Sequence, residues 1–174
     1  MRWRRPRGFL LYFRRQKDMI DKALLTRTVN DAIANTDMFV VDIRVNPANE
    51  IVVELDSDTG MDIAACVAVT RKIEEVFDRE VEDYQLEVGS AGLTSPFKVR
   101  NQYLKNIGNE IEVLTRDGRK LRGVLKSVAD DSDDFTLTVS RKERPEGAKR
   151  PVMVESDIVL NPADCKDVRY TFKF

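Results

Sequence analysis

Apolar and polar positions change period along this chain, and each change marks an element. From Met19 to Ala34, the apolar residues Leu25, Val29, Ala32 and Ile33 recur at helical spacing with Leu24 beside them, which predicts a helix over 19–34. Asn35-Thr36-Asp37 ends it. MFVVDIRV at 38–45 then alternates, with Phe39, Val41, Ile43 and Val45 expected on one face of a strand. The turn residues Asn46-Pro47-Ala48-Asn49 lead into IVVELD at 51–56, where Ile51, Val53 and Leu55 repeat the period of two. Two such runs joined by a short polar loop predict an antiparallel hairpin. A second helix is predicted over 62–78, with Ile63, Cys66, Val67, Thr70, Ile73 and Phe77 as its buried stripe and Asp62 or Thr59 as its cap.

An acidic link over 79–83 precedes Tyr84 to Lys98, which reads YQLEVGSAGLTSPFK. Tyr84, Leu86 and Val88 alternate with Gln85 and Glu87, so this stretch starts as a strand. It is expected to stop at the small residues Gly89-Ser90-Ala91-Gly92, and Pro96 fixes a backbone angle before a new pattern begins. The order so far is α-β-β-α-β, a three-stranded sheet with two helices on one face and its second and third strands joined by a helical crossover. Beyond the break, 99–106 is predicted as a helical turn and the rest as strands. These are Gly108–Thr115 with Ile111 and Val113, a two-residue Asp117-Gly118 hairpin, Arg119–Val128, an acidic turn at Asp130, Asp131, Asp133 and Asp134, and the alternating Phe135, Leu137 and Val139. A polar basic loop over Ser140–Arg150 follows, then Val152 and Val154, a break at Asn161-Pro162, and the alternating Val168, Tyr170, Phe172 and Phe174. Five short strands predict a small β-barrel of the SH3 or Sm type. The expected architecture is an α+β two-domain protein: residues 19–93, a hinge at 94–98, and a barrel over 99–174.

Charge divides the chain along the same lines. Residues 19–97 carry six Lys/Arg against sixteen Asp/Glu, whereas 98–174 carry sixteen against thirteen. An acidic unit joined to a mildly basic one is expected to meet either two different partners or one of mixed charge. Residues 1–18 (MRWRRPRGFLLYFRRQKD) stand apart, with arginines interleaved with Trp3, Phe9, Tyr12 and Phe13. That mix can grip RNA or a membrane surface. The globular pattern begins at Met19 without it, so the segment reads as a disordered tail or an upstream extension. Two isolated thiols, Cys66 and Cys165, fit a reducing cytoplasm, and no apolar run approaches the ~20 residues of a membrane span.

Candidate chemistry is sparse. The chain has no histidine and no paired cysteines, which removes His-based catalysis and nearly every common zinc site. Asp56-Ser57-Asp58-Thr59-Gly60-Met61-Asp62 invites a calcium or metal-hydrolase reading through Asp56, Asp58 and Asp62, but Met61 stands where an EF-hand needs Gly and Val67 where it needs Glu. A strand-to-helix connection accounts for it better. Gly89-Ser90-Ala91-Gly92 spells the GxxG of KH domains, yet it follows a strand where that loop joins helices. No nucleophile elbow, P-loop or dinucleotide fingerprint is present, so no enzyme activity, cofactor or metal is expected. The best candidates for contact are basic. Arg116, Arg119, Lys120, Arg122 and Lys126 gather round one hairpin, and Arg141, Lys142, Arg144, Lys149 and Arg150 crowd one loop. Such groups suit a phosphate backbone, while an acidic N-terminal domain suits a basic protein.

Three stretches together carry a resemblance: FVVDIRV, IVVELDSDTGMDIAACVAVTRKI and YQLEVGSAGLTSPFK. They resemble the bacterial ribosome maturation factor RimP family, whose version of the last motif looks like Y-x-L-E-V-S-S-P-G-L-x-R-P-L. Tyr84, Leu86, Glu87, Val88, Ser90, Gly92, Leu93 and Pro96 match it. Gly89 and Ala91 replace a Ser and a Pro, and Thr94-Ser95 lacks the usual Asp-Arg, so no role of that Arg carries over. The resemblance covers 19–174 and implies an α/β domain followed by an Sm-like barrel. It also implies a non-enzymatic assembly factor that binds pre-30S particles transiently, with a basic ribosomal protein, 16S ribosomal RNA, or both as partners. A cytoplasmic monomer is expected. The alternative is a general RNA-binding Sm-like module outside ribosome assembly.

Overall fold

Asp21 starts the first helix: its carboxylate accepts hydrogen bonds from the Ala23 and Leu24 backbone N–H groups, satisfying donors that a helix start leaves open. The computed structural model describes residues 20–81, 83–143 and 150–172; the extension at 1–18, Arg144, Lys149 and Phe174 lie outside the described residues. Helix α1 (Lys22–Ile33) leads to β1 (Met38–Val45), β2 (Glu50–Ser57), α2 (Ile63–Val76) and β3 (Gln85–Ser90). The sheet order is β1-β2-β3, with β1 antiparallel and β3 parallel to β2, as the helical crossover requires. Leu25, Val29 and Ile33 of α1, Val69 and Ile73 of α2, and Ile51, Val53 and Leu55 of β2 close one core beneath the two helices. Each such aliphatic side chain contributes about 1.5–3 kcal/mol on full burial.

Three local expectations need correction. A β-bulge at Val41 splits the face expected in β1: Val40 lies opposite Leu55 and Asp42 opposite Glu54, with Val41 left over. Met38 and Val40 therefore pack on the core before the bulge and Ile43 and Val45 after it, while Phe39 is not part of that core. The stripe of α2 is also rotated. Val69, Ile73 and Phe77 are the buried positions, with Cys66 and Thr70 partly covered, whereas Ile63 is 84% exposed. Spacing alone allows either neighbouring stripe; the narrow sheet and α1 cover only one of them. Finally, β3 runs through Gly89 and Ser90, pairing them with Glu54 and Leu55, so the break begins at Ala91.

One carboxylate ties the helix and sheet layers together. Asp37 accepts from the Thr59 hydroxyl at 2.6 Å, the Ser57 hydroxyl at 2.8 Å and the Thr59 N–H at 3.0 Å. The Thr59 hydroxyl leads these bonds in holding its pKa down to about 2. A carboxylate depressed on folding adds stability above its unfolded pKa and loses it as pH falls towards the folded value. Acid denaturation between about pH 4 and 2 is therefore expected to weaken the wild type more steeply than Asp37→Asn, as read from urea midpoints. Parallel midpoint curves for the two proteins would show that Asp37 carries no such linkage.

After the break, α3 (Arg100–Lys105) precedes β4 (Glu110–Thr115), β5 (Lys120–Val128), β6 (Phe135–Glu143), β7 (Val152–Leu160), a 3-10 turn at Pro162–Asp164, and β8 (Cys165–Tyr170). The strands form one antiparallel sheet of order β7-β6-β5-β4-β8. Ile111, Val113, Leu121, Leu125, Leu137, Leu160 and Val168 come from all five strands yet share one core, so the sheet curls round its own apolar face. Two expectations change here. The polar loop is shorter than the span 140–150, because Ser140 to Glu143 pair with Glu155 to Val152 and so extend β6. The β4–β5 connection is three residues, Arg116–Gly118, not two: Thr115 N–H bonds the Arg119 carbonyl, and Gly118 takes φ +89°. That is a type I turn closed by a left-handed glycine, the other common hairpin solution.

Candidate functional site

The outer face of the first sheet is acidic and does not face solvent alone. Beyond the bulge, Asp42 stands directly opposite Glu54, a like-charge pair that destabilises an isolated ladder. Lys98 resolves it: its ammonium donates to Glu54 Oε2 at 2.7 Å and Asp42 Oδ2 at 2.9 Å, and Arg44 adds a bond to Glu54 Oε1 at 2.7 Å. The bonds to Glu54 and Asp42 raise the Lys98 pKa, and the bond from Lys98 holds Asp42 below the usual carboxylate range. Two residues further along β2, Lys105 of α3 donates to Asp56 Oδ1 at 2.6 Å and to the Ser57 carbonyl at 2.8 Å. This second pair is the more enclosed, with the Lys105 and Asp56 side chains 22% and 15% exposed. Two lysines thus latch the β-rich unit onto the first sheet. Neither was singled out by sequence, although outward-facing acids at Asp42, Glu54 and Asp56 were the available signal.

The motif residues divide between anchoring and exposure. Tyr84 is buried; its hydroxyl donates to the Phe77 carbonyl at 2.8 Å, and the Arg79 guanidinium lies 4.9 Å over its ring. Burial is the main cause that raises its pKa. Leu86 and Val88 pack against the core, while Glu87, Ser90, Gly92 and Pro96 are exposed and Leu93 is 70% exposed. A Cβ on Gly92 would meet only the Ser95 hydroxyl, the end of a short side chain, so no backbone demand explains that glycine. The chain re-anchors at Phe97, whose N–H bonds the Val168 carbonyl at 2.7 Å and whose ring meets Tyr103 edge-on with centroids 5.2 Å apart. Between the two units lies a cleft of about 250 Å³ lined by Leu93, Phe97, Tyr170 and Phe172, with Asn106 and Asn109 at its polar side.

Strand register sorts the basic candidates. Lys120 pairs with Glu112 at 3.1 Å and Arg122 with Glu110 at 2.7 Å across β4–β5; Lys126 pairs with Asp157, and Arg119 with Asp117 at 2.7 Å. Arg116 donates from Nε to the Ala163 carbonyl at 2.6 Å. All five hold a partner within the unit, while the side chains of Arg119, Lys120, Arg122 and Lys126 stay 52–67% exposed. Arg141, Lys142 and Arg150 are exposed at the far end of the β6–β7 hairpin, and no ion pair holds them among the described residues. Arg100, not anticipated as a functional residue, pins the acidic turn by donating to the Ser132 and Ala129 carbonyls at 2.7 and 2.5 Å.

The carboxylates that invited a metal reading are assigned to separate tasks. Asp56 holds Lys105, Asp62 caps α2 through the Ala65 N–H, and Asp58 is exposed. No group of three or more metal-ligating side chains gathers among the described residues. Burial raises the Cys165 thiol pKa, consistent with a packing role in the second core. No helix among the described residues is long and apolar enough to cross a membrane.

These features define an α+β protein of two sheets, an acidic α/β unit latched by lysines to a β-rich unit, whose distinctive chemistry is surface charge. The family model described as the RimP N-terminal domain matches residues 28–94. The ribosome maturation factor RimP of Porphyromonas gingivalis is 43% identical over 148 residues, spanning 85% of this chain and 96% of that protein. Its namesake in Christiangramia forsetii is 33% identical over 140 residues, spanning 80% and 90%. The chain belongs to the ribosome maturation factor RimP family. One chain of the solved structure "Structural basis of the Dcp1:Dcp2 mRNA decapping complex activation by Edc3 and Scd6" aligns with a TM-score of 0.30 and 22% identity, covering 41% of this chain and 46% of that one, too little to carry a fold argument.

Proposed function

We propose that this protein acts without enzymatic chemistry as a maturation factor of the 30S ribosomal subunit, binding its precursor transiently in the cytoplasm as a monomer. The observation that carries the reading is the 43% identity, over 85% of the chain, to a relative named for ribosome maturation. In this reading the acidic domain, 19–93, meets a basic ribosomal protein. A hinge at 94–98 joins it to residues 99–174, an Sm-like barrel that meets 16S ribosomal RNA. A short helix followed by five antiparallel strands, with β8 returning to pair with β4, supports the barrel reading. The motif residues Tyr84, Leu86, Glu87, Val88, Ser90, Gly92, Leu93 and Pro96 serve domain placement. The cations of the β6–β7 hairpin, Arg141, Lys142, Arg144, Lys149 and Arg150, are the proposed RNA contacts, favoured over Arg116, Arg119, Lys120, Arg122 and Lys126 because the latter already hold internal partners.

The test is co-sedimentation of the purified protein with small-subunit precursors across a salt series, beside gradient profiles of a deletion strain. Deletion is expected to leave fewer mature small subunits; unchanged profiles would sink the proposal. Arg141→Ala with Lys142→Ala and Arg150→Ala is expected to flatten the salt dependence, the log–log slope falling by about 0.7 for each phosphate that the protein no longer neutralises. The same changes at Lys120 and Arg122 should leave the slope in place.

A further inference from the structure

A buried amide on the wall of the cleft between the two units lacks a partner. Gln102 is 4% exposed, and its side-chain carbonyl accepts from the Lys98 and Val99 N–H groups at 2.6 and 3.3 Å, which fixes the plane of the amide. Its amine has no acceptor among the described residues. Nor is that amine sealed off: the one enclosed side-chain polar atom without a partner among those residues is Asp167 Oδ1. The amine therefore stays reachable, and the cavity that Gln102 lines is this cleft. A buried polar group in that state calls for a partner. Asn106 uses both ends of its own amide inside the protein, donating to the Gln102 backbone carbonyl at 2.7 Å and accepting from the Asn109 amine at 3.2 Å. Asn109, which is exposed, keeps its side-chain carbonyl as a further acceptor on the cleft.

The remaining walls select the occupant. Tyr170 and Phe172 meet edge to face at 90° with centroids 5.0 Å apart, and Phe97 and Leu93 extend the apolar lining. Asp56 and Lys105 also line the cleft, but they hold each other at 2.6 Å, so a phosphate or carboxylate finds no unpaired cation there. A volume of about 250 Å³ lies below the roughly 300–1,000 Å³ of a drug-sized pocket, so the cleft takes one side group and not a strand or a helix. An aliphatic or phenyl side chain would fill the apolar part and shut the Gln102 amine away from water without an acceptor, which is unfavourable. Ring walls and amides are satisfied together by a flat heterocycle that carries an acceptor beside a donor on its rim. A nucleobase is such a group, and single-stranded RNA presents its bases unstacked.

We infer that the cleft between the units takes one unstacked base of single-stranded RNA, packed on the corner of Tyr170 and Phe172, with its edge accepting from the Gln102 amine and donating to the Asn109 side-chain carbonyl. The inference rests on the ribosomal reading above, in which residues 99–174 meet RNA, and deepens it. Cations on the β6–β7 hairpin grip phosphate at any sequence. The cleft carries no net charge, so it adds a preference for the base that lies there and leaves the salt dependence to the hairpin.

The test measures binding of the full chain to labelled RNAs of about ten nucleotides by fluorescence anisotropy across a salt series. Their bases are all adenine, all cytosine, all uracil, or all hypoxanthine, which presents the hydrogen-bonding edge of guanine without its amine. The wild type is expected to bind one of the four about tenfold more tightly than the weakest. Gln102→Glu keeps the acceptor for the Lys98 and Val99 N–H groups and turns the donor into an acceptor, so it is expected to abolish that preference. Phe172→Leu removes a ring that is 37% exposed and keeps an apolar side chain. It is expected to weaken binding of the RNAs about tenfold, with the salt slope and the melting point close to those of the wild type, and it carries the test should Gln102→Glu fail to fold. Equal binding of the four RNAs by the wild type, or wild-type affinity in Phe172→Leu, overturns the assignment of a base to the cleft. Weaker co-sedimentation of Phe172→Leu with small-subunit precursors, with its RNA affinity intact, assigns the cleft to a protein instead. Nucleoside monophosphates that bind as tightly as the RNAs overturn RNA as the source of the base. If the wild type binds none of the RNAs yet co-sediments with precursors, this inference falls and the ribosomal reading stands; if it does neither, both fall.

Discussion

Gly123→Ala is expected to destabilise the β-rich unit by about 3 kcal/mol, at the upper end of overpacking effects. A Cβ built on Gly123 would lie 2.2 Å from the Thr138 carbonyl oxygen and 2.9 Å from its carbon, with Leu137 Cγ at 3.2 Å. Two of those atoms are backbone of the neighbouring strand and cannot swing aside. The close approach lies at the end of the β5–β6 ladder, next to the pair Val124 and Thr138. Gly123 has no positive φ, so the constraint is space and not conformation. For a unit of this size each kcal/mol moves the melting point by about 4–8 °C, so a drop of at least ~12 °C should appear in calorimetry. Gly89→Ala is the control, since nothing lies within 4 Å of a Cβ there. Equal stability of the two variants would refute the clash.

Lys105→Met should loosen the two units from each other without unfolding either. It removes the cation from Asp56, whose side chain is 15% exposed, and leaves a largely enclosed carboxylate with the Ser57 N–H as its remaining donor and the Ser57 carbonyl without the lysine. Breaking a fully enclosed pair costs about 3–5 kcal/mol; with Lys105 itself 22% exposed, about 2 kcal/mol of docking energy is expected here. Lys98 cannot replace it, because its ammonium is committed to Asp42 and Glu54 and is 38% exposed to competing water and salt. Small-angle scattering of Lys105→Met should give a larger radius of gyration than the wild type, more so at high salt, while circular dichroism stays the same. A scattering curve that overlays the wild type at all salt concentrations would show that the latch does not hold the units together.

Period-two strands were readable because each has one face against a core. Ile51, Val53 and Leu55 alternate in sequence and are all buried in the structure. The helical crossover between β2 and β3 was readable as well, while their parallel pairing is a finding of the structure. What escaped was set by contacts distant in sequence. The bulge at Val41 leaves no mark in MFVVDIRV, since Phe39 and Val40 suit either face. The true stripe of α2 depends on how far α1 and the sheet reach, which no local spacing encodes. The partners of the basic cluster escaped too, because they come from other strands: Glu110 and Glu112 from β4, and Asp157 from β7, two strands away. The latch was hidden for the same reason, with Lys98 and Lys105 meeting carboxylates on an element formed long before them in the chain. The family resemblance found at the YQLEVGSAGLTSPFK motif was confirmed by its relatives, whereas the motif's glycines turned out to sit in open or yielding space.

The return of β8 to β4 gives the two units different folding problems. Every pairing in the first sheet is complete once Ser90 is in place, and β1 finds β2 across a four-residue turn. The second sheet is finished only when Tyr170 reaches Ile111, after β5, β6 and β7 have been laid down between them. Closing so long a loop delays the pairing entropically and slows the folding of the unit that contains it. The acidic unit is therefore expected to form first as the platform, with the lysine latch engaging in full only when the later, slower sheet has formed.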